Sequence, residues 1–305
     1  MHFNRLDLNL LVALDTLLEE LNITRAGERL SLSQSAMSGA LARLRDYFQD
    51  ELLVQVGRKM MPTALAENLR PRVRSILLEI QATVEARPSF DPATTSRHFR
   101  ICASDYVVTV LFTQALARLS QTAPGLSFEF LPQTENVFEP LDRGEIDLLI
   151  LPDAYTSDRH PHADLFQDDF VCVVWDQNST VGNSLSLDHY LSLGHVTTRI
   201  GVTKRVPALD EWFANQHHYN RRLEAIAYDF NTAMQMVIGT QRVITTHRRL
   251  ALHHARHLPL RLVPAPLPVP RLLERMQWHP YQDQDVGHRW LRDMLVQVAQ
   301  ETAVV

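Results

Sequence analysis

Residues 23–38 read ITRAGERLSLSQSAMS. This stretch predicts a short helix over Ile23–Leu30, a turn at Ser31-Leu32, and a second helix that Ser33 is placed to cap. Ala26-Gly27 supplies small residues where the two helices of such a pair approach closely. The stretch therefore indicates a helix-turn-helix, whose second helix can enter a major groove of DNA.

The predicted second helix runs to about Phe48, because Met37, Leu41, Leu44 and Phe48 recur at helical spacing. Its opposite face is small and polar, and its N-terminus offers amide donors to a phosphate. On that face Arg43 is the strongest candidate for a phosphate or guanine contact. The candidate DNA-binding residues are Ser33, Gln34, Ser35, Ser38, Gly39 and Arg43, with Arg58 and Lys59 farther along the chain.

The elements on either side complete a winged domain. Leucines at three- and four-residue steps predict a preceding helix over Leu6–Leu21. A strand over Leu52–Val56, a turn at Gly57–Lys59 and a short return over Met60–Pro62 predict a β-wing with a basic tip. We therefore expect a winged helix-turn-helix DNA-binding domain over residues 1–62.

A long helix is predicted from Thr63 to about Arg87, within a linker and dimerisation segment over residues 63–90. Pro71 lies inside it and should bend it, since an internal proline costs about 3 kcal/mol. The helix has a heptad-like apolar seam suited to pairing with a second copy of the chain. The seam residues are Leu65, Leu69, Val73, Ile76, Leu77, Ile80 and Val84.

Residues 91–305 alternate predicted strands and helices, a pattern typical of mostly parallel sheets with helices on their faces. The predicted strands are Phe99–Ala103, Ser127–Leu131, Asp147–Leu151, Phe170–Trp175, His195–Thr198, Leu223–Tyr228, Arg261–Val263 and Arg275–His279. The predicted helices are Tyr106–Ser120, Phe138–Arg143, Ala208–Gln216, Thr232–Ile238 and His288–Gln300. We expect the last two strands to return to the first set, which gives two α/β halves joined by crossing strands. That architecture favours a hinged ligand-binding module.

Composition restricts the class of protein. With 305 residues and 45% apolar content, the chain is long and apolar enough for about two domains, each with a buried core. Its start lacks the features of a signal peptide and no apolar run reaches about 18 residues, so we expect a cytoplasmic protein without a membrane span. Cys102 and Cys172 lie in apolar runs and are expected to be buried and reduced. The net charge of -5 gives no support for DNA binding, which therefore depends on local geometry.

Several motifs together resemble the LysR family of bacterial transcription regulators. In the first 90 residues they are Leu6–Leu11, Ala26–Leu30, Leu32–Ser38, Leu41–Leu44, Leu52-Leu53 and Pro62-Thr63-Ala64. Farther along, several stretches resemble the branch of the family that contains the nodulation and aromatic-degradation regulators. They are Phe99-Arg100-Ile101, Gly144–Leu148, Gly194-His195-Val196, Met276–His279 and Trp290-Leu291-Arg292. Ser35 stands where the family more often has proline, and Gly27 where alanine is usual.

The resemblance implies a winged helix-turn-helix joined to a two-subdomain α/β effector domain like that of periplasmic binding proteins. It also implies a homo-oligomer, a dimer or a tetramer built from dimers, that binds double-stranded operator DNA. A small-molecule effector, of aromatic chemistry in this branch, would change the spacing of the DNA-binding heads. An activator would further contact RNA polymerase.

In such a fold the effector lies in the crevice at the carboxyl ends of the strands. Polar residues that follow predicted strands or precede helices are therefore candidates, and the family places effector contacts near residues 201–206. Each of these residues could equally be a helix cap or a turn residue rather than an effector contact. The candidates are Ser104, Asp105, Gln133, Thr203, Lys204, Asn231 and His247.

Other classes of protein fit less well. No nucleophile elbow, P-loop or dinucleotide fingerprint is present, so we expect no enzyme and no cofactor. His253 and His257 have a metal-ligand spacing without the glutamate of a zinc protease motif. We expect His253, His254 and His257 on an exposed helix face rather than in a metal site. A solute-binding protein of a transport system would lack residues 1–90. An architectural DNA-binding protein with a ligand-blind second domain remains open.

Overall fold

The computed structural model describes residues 6–57, 59–85, 90–199, 208–217 and 220–301. The chain divides into two compact units, one within residues 1–87 and the other within residues 88–305. Each unit has its own buried apolar core.

The first unit contains the predicted helices, wing and linker helix. Its elements are α1 (Asn9–Glu20), α2 (Ile23–Arg29), α3 (Gln34–Phe48), β1 (Leu53–Val56), β2 (Lys59–Pro62) and α4 (Ala64–Glu85). Strands β1 and β2 pair antiparallel. The predicted element types and their order are confirmed.

Side-chain caps explain where these helices begin. Asn22 accepts hydrogen bonds from the amides of Thr24 and Arg25, at 2.9 and 3.1 Å, and so starts α2. The Thr63 hydroxyl accepts from the amide of Ala66 at 3.2 Å and donates to Asp50 Oδ1 at 2.6 Å. The start of α4 is thereby tied to the segment that precedes the wing.

The predicted seam of α4 is divided between two environments. Val73 is buried, and Leu69 and Leu77 pack against the core of the winged domain. Three other seam residues lie on the solvent side of the same helix, at helical spacing: Ile76, Ile80 and Val84. Only part of the predicted seam is therefore available to a second copy of the chain.

The second unit contains two five-stranded sheets. Its strands are β3 (Arg97–Cys102), β4 (Leu126–Leu131), β5 (Leu148–Pro152), β6 (His162–Asp168), β7 (Phe170–Trp175), β8 (Gly194–Thr198), β9 (Arg222–Ala227), β10 (Val243–His247), β11 (Leu260–Pro264) and β12 (Leu272–Gln277). Its helices are α5 (Asp105–Val107), α6 (Thr113–Thr122), α7 (Glu139–Asp142), α8 (Leu187–Ser192), α9 (Ala208–His217), α10 (Phe230–Gln235), α11 (Arg248–Ala255) and α12 (Val286–Glu301). A π-helical turn over Val108–Phe112 joins α5 to α6.

The two sheets share one topology. The first has the order β4-β3-β5-β12-β6, and the second has the order β9-β8-β10-β7-β11. In each sheet three parallel strands are followed by two strands paired antiparallel. The chain crosses between the sheets at Asp168–Phe170 and again over residues 264–272. The predicted pair of α/β halves joined by crossing strands is confirmed.

One predicted strand assignment is wrong. Arg261–Val263 was expected to return to the first set, but β11 pairs antiparallel with β7 in the second sheet, with Leu262 opposite Val173. Only β12 returns, since it pairs with both β5 and β6. The proline-rich segment 264–270 supplies the length for that crossing. Strand β6 and helix α8 were not predicted, and no bounds were predicted for β10 or α11.

The cysteines, the possibility of a membrane span and the possibility of a metal site can be compared with the described residues. Cys102 and Cys172 are buried and free, as expected. Across the described ranges, no helix is both long and apolar enough to cross a membrane. Within the same ranges, no group of three or more histidine, cysteine, aspartate or glutamate side chains is arranged to hold a metal ion.

Candidate functional site

The first candidate surface lies on α3. The Ser33 hydroxyl accepts from the amide of Ala36 at 3.1 Å and is 2.9 Å from the Ser35 hydroxyl, so Ser33 caps this helix as predicted. The buried residues of α3 are Met37, Ala40, Leu41 and Leu44. The predicted contact residues Gln34, Ser35, Ser38, Gly39 and Arg43 are all exposed. The core stripe thus leaves the candidate reading face open to solvent.

Gly27 positions α3 through a close backbone approach. A Cβ atom at Gly27 would lie 2.9 Å from the carbonyl oxygen of Leu32, in the turn that leads into α3. Ser31 in the same turn has a φ of +56°, in the left-handed region. A tight turn and a small residue therefore set the angle at which α3 leaves α2.

Arginines of the winged domain differ in what they bind. Arg45 donates to the carbonyl oxygens of Glu51 and Leu53, at 2.8 and 2.7 Å, and thereby holds the segment leading into β1. Arg29 forms an ion pair with Glu19 at 2.6 Å. Arg43 instead lies exposed on the candidate reading face. Its position suits an intermolecular contact better than theirs does.

The wing provides the other predicted basic residues. Gly57 has a φ of +63° in the turn between β1 and β2. Lys59 is exposed at the start of β2. Arg58 lies outside the described residues, so only one of the two predicted cations of the wing can be placed.

The second candidate site lies where the two halves of the second unit meet. Asp105, at the start of α5, accepts hydrogen bonds through Oδ2 from the backbone amide and the side-chain amide of Asn231, at 2.8 and 2.7 Å. Asn231 Oδ1 accepts from His254 Nε2 at 2.7 Å. Two predicted effector residues that are 126 positions apart are therefore in direct contact. His254 is half-buried in this network, which corrects the expectation that its neighbourhood is simply an exposed helix face.

His247 lies in an aromatic cluster at the same junction. Its ring stacks on Tyr106 with centroids 3.9 Å apart and lies 4.7 Å from the ring of Phe230. Burial lowers the pKa of His247 to about 3, so the ring is neutral at physiological pH. The Tyr106 hydroxyl donates to Asp168 Oδ2 at 2.7 Å. A neutral imidazole, aromatic ring faces and the carboxyl group of Asp168 therefore meet at the junction.

The remaining predicted effector residues fall into two groups. The Ser104 hydroxyl caps α5 by accepting from the amide of Val107 at 3.3 Å, and Gln133 Nε2 donates to the carbonyl oxygen of Ile150 at 2.8 Å. Both side chains therefore have structural partners within the first half. Thr203 and Lys204 lie outside the described residues.

Sequence reasoning missed two carboxyl groups at this junction. Asp168 ends β6 at the first crossing, and Oδ2 also accepts from the backbone amide of Arg249 at 3.1 Å. Glu274 lies on the returning strand β12 and is 3% exposed. In the sequence it is one of two adjacent charged residues, Glu274 and Arg275, and strand alternation alone does not show which of them faces the core.

Known protein families match the N-terminal and C-terminal parts of the chain separately. Residues 8–67 match the model for the bacterial regulatory helix-turn-helix protein, lysR family, and residues 92–300 match the LysR substrate binding domain. Nodulation protein D 2 of Rhizobium tropici is 44% identical over 299 residues, covering 98% of this chain and 95% of that protein. Nodulation protein D 1 of Bradyrhizobium diazoefficiens is 41% identical over 303 residues, covering 99% and 96%.

A solved structure shows the same arrangement of elements. It is the crystal structure of a probable transcriptional regulator from Pseudomonas aeruginosa, 28% identical, with a TM-score of 0.64 over 96% of this chain and 97% of that one. The family matches and the full-length relatives cover both units. The chain therefore belongs to the LysR family of DNA-binding transcriptional regulators, with an N-terminal helix-turn-helix and a C-terminal effector-binding domain.

Proposed function

We propose that this regulator reads its operator with the exposed face of α3 and the tip of the wing. The observation that carries the proposal is the separation of faces on α3, where buried apolar residues leave Gln34, Ser35, Ser38, Gly39 and Arg43 in solvent. The capped N-terminus of α3 adds amide donors for a phosphate. Lys59, with Arg58 beside it in the sequence, would contact the DNA backbone.

The proposed effector site is the junction of the two α/β halves, around Asp105, Asn231 and His247. The neutral His247 ring and its aromatic neighbours suit an aromatic, uncharged or hydroxylated effector better than a strongly anionic one. Resemblance to the nodulation and aromatic-degradation branch supports the same chemistry. Ser104, Gln133, Thr203 and Lys204 remain candidates through the family pattern.

We also propose the finer organisation of the protein. Residues 1–62 would bind DNA, residues 63–90 would link and dimerise, and residues 91–305 would bind the effector. Exposed apolar residues on α4 support a dimer, and the family favours a tetramer built from dimers. As an activator in the cytoplasm, where operator DNA lies, the protein would contact RNA polymerase and would have no enzymatic activity.

Operator binding is the first test. Fluorescence anisotropy of the purified chain on DNA upstream of its own gene and of the neighbouring genes, with non-specific competitor and fixed salt, should reveal competitor-resistant binding. The adjacent genes then nominate effectors for the same assay. Binding that competitor DNA abolishes would contradict sequence-specific recognition.

Effector binding needs a separate test. Replacing Asn231 or Thr203 with alanine should leave operator affinity unchanged and weaken the response to the effector. Because Asn231 also ties the two halves together, the Asn231→Ala response must be compared at equal folded fraction. If no compound changes operator binding or transcription, the protein is an architectural DNA-binding protein with a ligand-blind second domain.

A further inference from the structure

Glu274 is a buried carboxyl group at the hinge that the proposed effector contacts do not use. It lies on β12, the strand by which the chain returns from the second sheet, opposite Pro152 of β5 and Phe166 of β6. Its side chain is almost completely buried, and Oε2 has no hydrogen-bond partner among the described residues. An ionised carboxylate in that position would be costly, because Oε2 is buried from water and no described residue donates a hydrogen bond that would stabilise its charge.

Asp168 is the contrasting carboxyl group at the same hinge. It accepts hydrogen bonds from the hydroxyl of Tyr106 and from the backbone amides of Asp169 and Arg249. Burial raises the pKa of Asp168, and these donors counteract part of that rise. Among the described residues no donor reaches Oε2 of Glu274, so Glu274 is the carboxyl group that is more readily protonated.

The nearest carboxylates around Glu274 also favour its protonated form. Asp168 on β6 and Asp153, which follows β5, both raise the pKa of Glu274, after burial as the main cause, to about 8. Burial raises the pKa of Tyr106 on α5, and the neighbouring Asp168 and Glu274 raise it further. Arg249 on α11 offsets part of the negative charge on Asp168. The balance of these neighbours disfavours a second negative charge.

We propose that Glu274 carries a proton while the two halves are in contact and releases it when they separate, so that opening of the crevice becomes easier as the pH rises. The structural basis is that Tyr106, which interacts electrostatically with Glu274, stacks on His247 of the other half, and its neighbour Asp105 binds Asn231 of that half. Separation of these contacts would admit water to Glu274. The proposal deepens the proposed effector site, since it concerns regulation of that crevice.

The sign of the pH dependence follows from the two states. In contact, Glu274 has a pKa of about 8, whereas a hydrated glutamate has its ordinary value of 4.5. The stabilisation of the closed contact is complete below the ordinary value and is lost as the pH rises to about 8. Over that window the opening constant should rise by up to about tenfold per pH unit, and above it no further.

Hydrogen exchange on the full-length protein, without effector and without DNA, tests this directly. The backbone amides of Asn231 and Arg249 donate across the junction to Asp105 and Asp168, so their protection reports opening. After correction for intrinsic exchange, their protection should fall by up to about tenfold per unit between pH 6 and 8. In Glu274→Gln this dependence should largely disappear. Any slope that remains belongs to other groups, such as His254.

Two further variants serve as controls. Glu129→Gln removes an exposed carboxylate from β4 of the same sheet and should keep the wild-type pH slope of amide protection. Asp153→Asn removes one negative neighbour of Glu274 and should shift the midpoint of the pH dependence to lower pH.

Two results would overturn the proposal. One is an equal pH slope in wild type and Glu274→Gln. If Glu274→Gln does not fold, the other is an unshifted midpoint in Asp153→Asn. Failure of effector binding would leave these measurements unaffected.

Discussion

At the scale of single residues, the arginines of the winged domain show how local geometry assigns different roles to one side chain. Arg43 and Arg45 are two positions apart on α3, yet only Arg45 turns toward the segment leading into β1 and donates to its carbonyl oxygens. A helix separates such neighbours by about 200° around its axis. The buried stripe of α3 therefore determines which arginine is exposed on the proposed reading face.

Arg43→Ala should weaken operator binding by about 1–3 kcal/mol, because it removes a charge-assisted contact to a phosphate or a base. Anisotropy titrations over a series of salt concentrations distinguish the two contacts, since loss of a phosphate contact reduces the salt slope by about one unit. Arg118→Ala, which removes an exposed arginine from α6 in the other unit, is the matched control. Unchanged affinity in Arg43→Ala would show that the reading face is assigned wrongly.

At the scale of elements, Ser33 at the start of α3 has two proposed roles, as a helix cap and as part of the DNA-facing end of the helix. Ser33 caps the helix and also lies at the end that would approach a phosphate. The hydroxyl is neutral, so it can cap the helix without repelling DNA. A substitution that keeps the cap but adds charge should separate these functions.

Ser33→Asp should preserve the thermal stability of the winged domain, because aspartate caps helices as well as serine does. Operator binding should nevertheless fall by tenfold or more, since a carboxylate would face the DNA backbone. Ser33→Ala serves as the opposite case, with about 1 kcal/mol less stability from the lost cap. Retained affinity in Ser33→Asp would place the helix start away from the phosphates.

The linker helix is fixed to the winged domain by a buried ion pair. Arg74 Nη1 lies 2.7 Å from Asp15 Oδ2, and Asp15 is 5% exposed on α1. Burial raises the pKa of Asp15, although Arg74 counteracts part of that rise. The pair ties α4 to α1, so the position of the linker helix depends on it.

Arg74→Met should lower the unfolding free energy of the first unit by about 3 kcal/mol near pH 7, because it leaves the Asp15 carboxylate buried without its cation. The loss should shrink as the pH falls, since a protonated Asp15 is less costly to bury. Urea denaturation followed through the first-unit transition measures both effects. The control Arg72→Met changes an exposed position on the same helix and should alter stability by less than about 0.5 kcal/mol.

At the scale of the whole molecule, we expect assembly to depend on the part of α4 that the winged core leaves uncovered. Ile76, Ile80 and Val84 are 44%, 37% and 80% exposed, and they recur every four residues on one face. Such a stripe is long enough to pack against a second α4 and would be costly to leave in water. We expect the dimer to form along it.

The double substitution Ile76→Glu with Ile80→Glu should convert the dimer into a monomer, because four carboxylates would meet at the paired helices. Sedimentation velocity measures the assembly, and operator affinity should fall with it since two heads no longer bind together. Glu79→Gln, at an exposed neighbouring position, should leave the dimer intact. A persistent dimer in the double variant would locate the interface elsewhere.

Much of the fold could be predicted because most of its helices and strands have clear signals in their own local sequence. The helix-turn-helix, the wing and most strands follow from apolar periodicity, caps such as Ser33, and turn residues such as Gly57. The strand β11 was placed in the wrong sheet for an equally clear reason. Its short apolar run fits either sheet, and its pairing with β7 depends on contacts about 90 residues apart in the chain.

The sequence alone determined the family pattern, the order of the elements and the exposed face of α3, since all three depend on neighbours within a few turns of the chain. Tertiary structure alone decided which polar side chains meet at the junction. Asp105 with Asn231 and Tyr106 with His247 are joined across the two sheets, and Glu274 is buried between crossing strands. Alternation along a strand determines on which face of the sheet a side chain lies. What covers that face depends on how distant segments of the chain pack.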